Sequence, residues 1–224
     1  MNEVEVNTIA RGQDSALAVN KVLRNTYMLL SMTLFFSAIC AVVTMMMQVS
    51  QGVGFIMLIG GFITSFVVQA TARSSKGLIW VFVFAGLMGG ALGPTISLYM
   101  QAYGNGSVIV AQALGGTALI FLTLSGYVLT TGKNFSYMGG FLMTGLIVAI
   151  VAMIANIFLQ IPALSLAISS AVIMIMSGFI LYDTSRIING GERNYILATI
   201  SLYISLFNIF VHFLSLLGAL TGRD

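Results

Sequence analysis

Seven long apolar segments divide this chain almost end to end, each long enough to cross a hydrocarbon layer about 30 Å thick as a helix. They lie near residues 26–47, 53–71, 78–100, 108–131, 137–158, 164–188 and 195–217. In lipid the backbone must satisfy its own hydrogen bonds, and segments of this length do so as helices. The expected fold is therefore all-α: a polytopic membrane protein of seven transmembrane helices. A tail of residues 1–25 precedes the 26–217 domain, and a short tail, 218–224, follows it.

Charge supports the assignment. Only 7% of residues are charged, against about 25% for an ordinary soluble domain. A net charge of +3 raises the question of nucleic acid, but nine Lys and Arg are too few, and too sorted by loop, to build a binding face. Arg11, Lys21 and Arg24 sit in the N-terminal tail, Arg73 and Lys76 in the second loop, Lys133 in the fourth, and Arg186 and Arg193 in the sixth. The first, third and fifth loops hold none, and Arg223 stands alone near the C-terminus. The positive-inside rule then predicts a cytoplasmic N-terminus and a C-terminus on the far side. Tyr27, Trp80, Tyr137 and Tyr195 fall at the inner ends, and Tyr99 and Tyr103 at an outer end, as interfacial anchors do.

The first apolar run follows about 25 polar residues and is itself of spanning length, so it reads as an uncleaved anchor. Asp14-Ser15 is expected to cap a short helix through Ala16, Leu17 and Val22, with the first dozen residues disordered. Acidic and basic residues balance in this tail, which reads either as inert or as a handle for a cytoplasmic partner. Cys40 lies mid-span with no second cysteine to pair with, and reads as a small buried hydrophobe.

Gly89 and Gly93 form a GxxxG in the third span, with Gly86 and Gly90 beside them and Pro94 next. They predict close backbone approach and a kink. The 14 methionines share no helical face and read as adaptable packing. On the seventh span Ser201, Ser205, Asn208, His212 and Ser215 recur at spacings of four, three, four and three, within one arc of about 80°. That face must look into the bundle, either to hydrogen-bond neighbouring helices or to line a polar path.

Asp183 is the one acidic residue inside a long apolar segment. It is either an ion or proton site or a structural ion pair with Arg186. Asn189-Gly190-Gly191 predicts a helix stop, and Glu192 and Asn194 a following start, so the last two spans form a hairpin. Counting outward from this turn places Asp183 near the depth of Ser201, about one helical turn short of Ser205, so that it can meet the polar stripe. His212 lies deeper and reads as a hydrogen-bonded core histidine. One His and one Cys leave no ordinary zinc site, and no cofactor is expected.

The run Gly178–Glu192, with Tyr182-Asp183-Thr184-Ser185-Arg186 at its heart, and the following Asn194-Tyr195-Ile196 and Ser201–Phe210 resemble the Bax inhibitor-1 family of seven-span membrane proteins. Lys21–Tyr27, Leu92-Gly93-Pro94, Ala113–Ala118 and Ala155–Ala163 are similar to its bacterial branch of FtsH protease modulators. The resemblance implies six spans surrounding the seventh. It also implies two functions. One is a pH-sensitive calcium leak in which two aspartates on the last two spans share a proton. Asp183 matches the first aspartate, but Ser205 stands at the second position, which weakens this reading. The other is an inner-membrane regulator that binds FtsH and its associated membrane proteins and restrains degradation of membrane proteins. Ca2+ would then be at most a permeant ion of the first reading. Catalysis is not expected: no Ser-His-Asp grouping, HExxH, phosphate loop or carboxylate pair occurs. Nor does any inverted repeat suggest a rocking transporter.

Overall fold

The computed structural model describes the backbone of residues 3–221, with side chains from Leu17 to Thr221. Seven long helices follow one another: α1 (Glu3–Met46), α2 (Gln51–Thr71), α3 (Lys76–Ala102), α4 (Gly106–Thr131), α5 (Gly139–Leu159), α6 (Pro162–Ile188) and α7 (Tyr195–Thr221). A single 3-10 turn, Ser136–Met138, leads into α5. All seven are long and apolar enough to span a membrane, and among the described residues there is no strand. The expected spans match within a few residues except at the first. There α1 is helical from Glu3, so Asp14-Ser15 lies inside a helix and does not start one. Neither a proline nor a turn signal interrupts 3–46, and extending a helix already anchored by a packed span costs far less than nucleating a new one.

α7 stands at the centre. Ile196, Ala198, Leu202, Ser205, Ile209 and Leu214, which point in different directions around its axis, are all buried. It packs directly against α1, α2, α3, α4 and α6. α5 stands farther out, resting on α6 and on the 3-10 turn, so the surround of six expected from the sequence has five members in direct contact with the centre. The three basic loops share one end of the bundle. Asn194 Nδ2 after α6 donates to the Ala72 carbonyl closing α2 (2.9 Å), and Phe135 N after α4 donates to Ser185 Oγ (3.1 Å).

Close packing is concentrated where α3 meets α1 and α2. A methyl group on Gly89 would collide with the Ser37 backbone, and one on Gly93 with Thr44 and the Ala41 carbonyl. These two glycines let α3 lie against α1 at a separation no side chain permits, as their GxxxG spacing predicts. Pro94 sits inside α3 and has no N–H, which frees the Gly90 carbonyl one turn back. Thr44 Oγ1 lies 2.9 Å from that oxygen and can donate to it across the interface, in competition with the Cys40 and Ala41 carbonyls of its own helix at 3.1 Å. Gln51 Nε2 donates to the Pro94 carbonyl itself at 2.6 Å. Neighbouring helices thus replace what proline removes.

Gly89→Ala is expected to destabilise the bundle by about 1–3 kcal/mol through overpacking. Gly140→Ala on α5, where nothing lies within 4 Å, should be close to neutral. Thermal unfolding of the two variants in detergent distinguishes them, and equal melting temperatures would contradict the packing described.

Candidate functional site

The α6–α7 turn is built by its own chemistry. Gly190 takes a left-handed conformation (φ +72°), and Gly191 N donates to the Arg186 carbonyl at 2.8 Å, capping the end of α6. Asn194 Oδ1 then accepts from Ile196 N at 2.9 Å, supplying a partner for a free amide at the start of α7. This is the stop and start read from Asn189-Gly190-Gly191 and Asn194.

Two turns or less from this hairpin, Ser201 Oγ donates to Asp183 Oδ2 at 2.6 Å. Asp183 is 7% exposed, so the carboxyl group is held in the α6–α7 interface at the depth expected. Arg186 is not its ion-pair partner. Its guanidinium turns to the loop, where Nη2 lies 3.6 Å from Glu192 Oε2 and 3.3 Å from the Gly191 carbonyl, and it sits 5.4 Å from the Tyr182 ring centre. The physical reason is solvation: an arginine near a helix end reaches the polar loop and its carboxylate more cheaply than it enters the apolar interior. Among the described residues, Arg186–Glu192 is the ion pair formed.

Beside Asp183 lies a set of neutral contacts that the sequence did not single out. Thr184 Oγ1 is 3.0 Å from Ser125 Oγ, which in turn meets the Tyr27 hydroxyl, joining α6, α4 and α1. Thr199 Oγ1 is within reach of the Thr26 carbonyl at 3.3 Å and of the Tyr195 carbonyl of its own helix at 2.7 Å. At the end of the bundle that holds the basic loops, Lys133 Nζ donates to the Tyr127 hydroxyl at 2.8 Å, which raises the lysine pKa above its ordinary value. Tyr27, read from the sequence as an interfacial anchor, therefore also works as a hydrogen-bonding clamp.

The rest of the α7 polar face is divided. Ser205 is 2% exposed and makes no side-chain hydrogen bond to a described residue. Asn208 Nδ2 donates to the Ile204 carbonyl of its own helix at 2.9 Å. His212 Nδ1 pairs with Ser169 Oγ of α6 at 3.1 Å, so it is the hydrogen-bonded core histidine the sequence suggested. An outer recess of about 350 Å³ reaches His212, Ser169 and Ser215 between α5, α6 and α7, but its walls include neither Asp183 nor Ser201 nor Ser205. The five-residue stripe is thus brought onto α6 at two levels, Ser201 with Asp183 and His212 with Ser169. It does not line one continuous cavity. No group of three or more metal-ligating His, Cys, Asp or Glu side chains forms among the described residues.

A family model described as "Inhibitor of apoptosis-promoting Bax1" matches residues 19–222. The chain belongs to the Bax inhibitor-1 family. Among curated relatives it is 54% identical over 211 residues to the Modulator of FtsH protease YccA of Escherichia coli K12, with 94% of each chain covered. It is 50% identical over 212 residues to an uncharacterized membrane protein of Vibrio cholerae, covering 94% of this chain and 95% of that one. An uncharacterized protein of Pseudomonas aeruginosa is 44% identical over 206 residues, with 92% of each covered. Within the Bax inhibitor-1 frame, Asp183 faces a serine hydroxyl on α7 and no second carboxylate. The interaction available to it is hydrogen bonding, without the like-charge coupling that makes two acids share a proton.

Ser201→Ala removes the hydroxyl that donates to Asp183 and is expected to cost about 1–3 kcal/mol. In an Asp183→Leu background the same change should cost much less. A double-mutant cycle on detergent-solubilised protein measures the coupling, and additive losses would mean that the 2.6 Å contact has no energetic weight.

Proposed function

We propose that this chain is a multi-pass inner-membrane regulator that binds the FtsH protease and restrains its degradation of membrane proteins. The observation that carries this reading is the 54% identity to a modulator of FtsH protease, sustained over 94% of both chains. The N-terminus and the three basic loops then face the cytoplasm, where eight Lys and Arg fit the positive-inside rule, and the C-terminus faces the periplasm.

The mechanism is occupancy. The protease engages the cytoplasmic N-terminal segment and pulls, and the bundle resists extraction. Resistance is greatest along α1, the first helix to bear the load, because Gly89 and Gly93 seat it against α3. Ser37 also donates to the Ala85 carbonyl at 2.7 Å while accepting from the Tyr203 hydroxyl at 2.6 Å. A slowly extracted protein holds the protease and delays other substrates. The partners on this reading are FtsH and its associated membrane proteins.

A calcium leak is less supported. The α7 polar face is interrupted by groups that bond to α6 or to their own helix, and Ser205 occupies the position where the channel reading needs a second aspartate. Acid-base catalysis is also disfavoured. Asp183 and His212 each bond to a serine and sit about 16 Å apart along the helix axes, too far to act on one atom.

Full-length protein should recover FtsH from solubilised membranes and slow turnover of a membrane substrate, and deletion of residues 2–20 should abolish both effects. A deletion that left binding and inhibition intact would sink the occupancy mechanism. Calcium flux in liposomes is expected to be the same for wild type and Asp183→Asn. Flux that is present and lost with Asp183→Asn would restore the channel reading.

A further inference from the structure

α4 buries one side, centred on Ile109, Ala113, Thr117 and Val128, against α7 and α6, and leaves the opposite side uncovered. On that uncovered side Val108, Gln112, Gly115, Leu119, Leu122 and Gly126 follow one another at spacings of four, three, four, three and four. They occupy one arc of about 80°. Val108 is 50% exposed, Leu119 68% and Leu122 67%, and nothing lies within 4 Å of where a side chain would begin on Gly115 or Gly126. Gln112 is exposed on this face and makes no side-chain hydrogen bond to a described residue, although it lies about 9 Å inside the outer end of the helix. Hydrocarbon offers its carboxamide no partner.

We infer that this α4 face is the contact surface for a second copy of the same chain, packed parallel across a two-fold axis along the membrane normal. The carboxamide singles out a second copy, and the symmetry and spacing of the face fit it. Both copies have the same membrane orientation, so a two-fold axis brings each residue near the axis opposite itself. A carboxamide is electrostatically self-complementary, with the N–H of one Gln112 meeting the carbonyl oxygen of the other, and a polar residue in an apolar seam fixes register in this way. The 3.5-residue repeat is the spacing of parallel helices crossing at about +20°, in which Leu119 and Leu122 act as knobs and the open positions at Gly115 and Gly126 receive them. A partner helix of different sequence or a snorkelling Gln112 are the competing occupants. The inference does not depend on FtsH binding.

The test is disulfide cross-linking in native membranes with a Cys40→Ala chain, which removes the single native cysteine. Gly115→Cys, Leu119→Cys and Leu122→Cys should each give an oxidant-dependent dimer, because two-fold pairing brings equivalent backbones within bridging distance. Leu114→Cys, which is lipid-exposed but off the stripe, and Met174→Cys on α6, which is 74% exposed, should not. Adding Gln112→Leu should lower the cross-linked fraction about threefold, while Gln112→Asn should retain most of it. The inference is overturned by equal cross-linking at the control positions, by no dimer at any stripe position, by a Gln112→Leu chain that dimerises like the parent, or by adducts with another protein in place of self-dimers. All these positions face open space, so loss of folding does not confuse the result.

Discussion

In a bilayer core no water is available to a polar group, and this constraint organises the molecule. A seventh helix carrying Ser201, Ser205, Asn208, His212 and Ser215 can exist at membrane depth only if other helices enclose it. It therefore takes the centre, and α6 meets it with Asp183 at one level and Ser169 at another. The same rule explains Tyr203. Ser37 has a single hydroxyl proton, committed to the Ala85 carbonyl, so the tyrosine must be the donor in their 2.6 Å contact. One serine thus joins α1, α3 and α7.

The two sides of the bundle are held differently. On one side α3 approaches α1 so closely that Gly89 and Gly93 have no room for a side chain, Gly54 and Gly61 of α2 lie tight against α3, and a proline is accommodated because Thr44 and Gln51 reach the carbonyls around it. On the other side α5 touches only α6 and the turn before it, and most of its surface is left for lipid. Between them the α6–α7 turn is locked by backbone caps and by Arg186 with Glu192, which places Asp183 opposite Ser201 and keeps the guanidinium in the loop.

Much of this was legible in the sequence because it follows from periodicity and length. The seven spans, the shared end of the basic loops, the stop at Gly190, the close approach at Gly89 and Gly93, and the meeting of Asp183 with Ser201 all come from counting residues along helices. Spacing alone left open which of two neighbours a side chain chooses. Arg186 lies one helical turn from Asp183 and could have paired with it, but only the folded loop shows Glu192 and the Gly191 carbonyl nearer to the guanidinium. The Thr184–Ser125–Tyr27 chain was illegible for another reason: its members lie on three helices far apart in sequence, and none is unusual alone. The extension of α1 to Glu3 was missed because Asp14-Ser15 is a good cap in isolation but has no effect where a helix runs through it.

Extraction resistance, on the proposed reading, depends on direction as well as on total stability. Force applied at the N-terminus loads α1 first, and α1 is tied to α3 through Ser37 and Thr44, to α7 through Ser37 and Tyr203, and to α4 through Tyr27. These ties lie at different depths, from Tyr27 near the end with the basic loops to Thr44 near the opposite end of the bundle. They share the load of an axial pull, since sliding α1 by one turn misaligns all of them together and drives the glycine contacts of α3 against side chains. Pulling from the opposite end would load α7, but in the proposed orientation its C-terminus faces away from a cytoplasmic motor. One of the two most extensive interfaces of the protein, α1 against α3, is therefore the one that a protease working from the cytoplasm would have to break first.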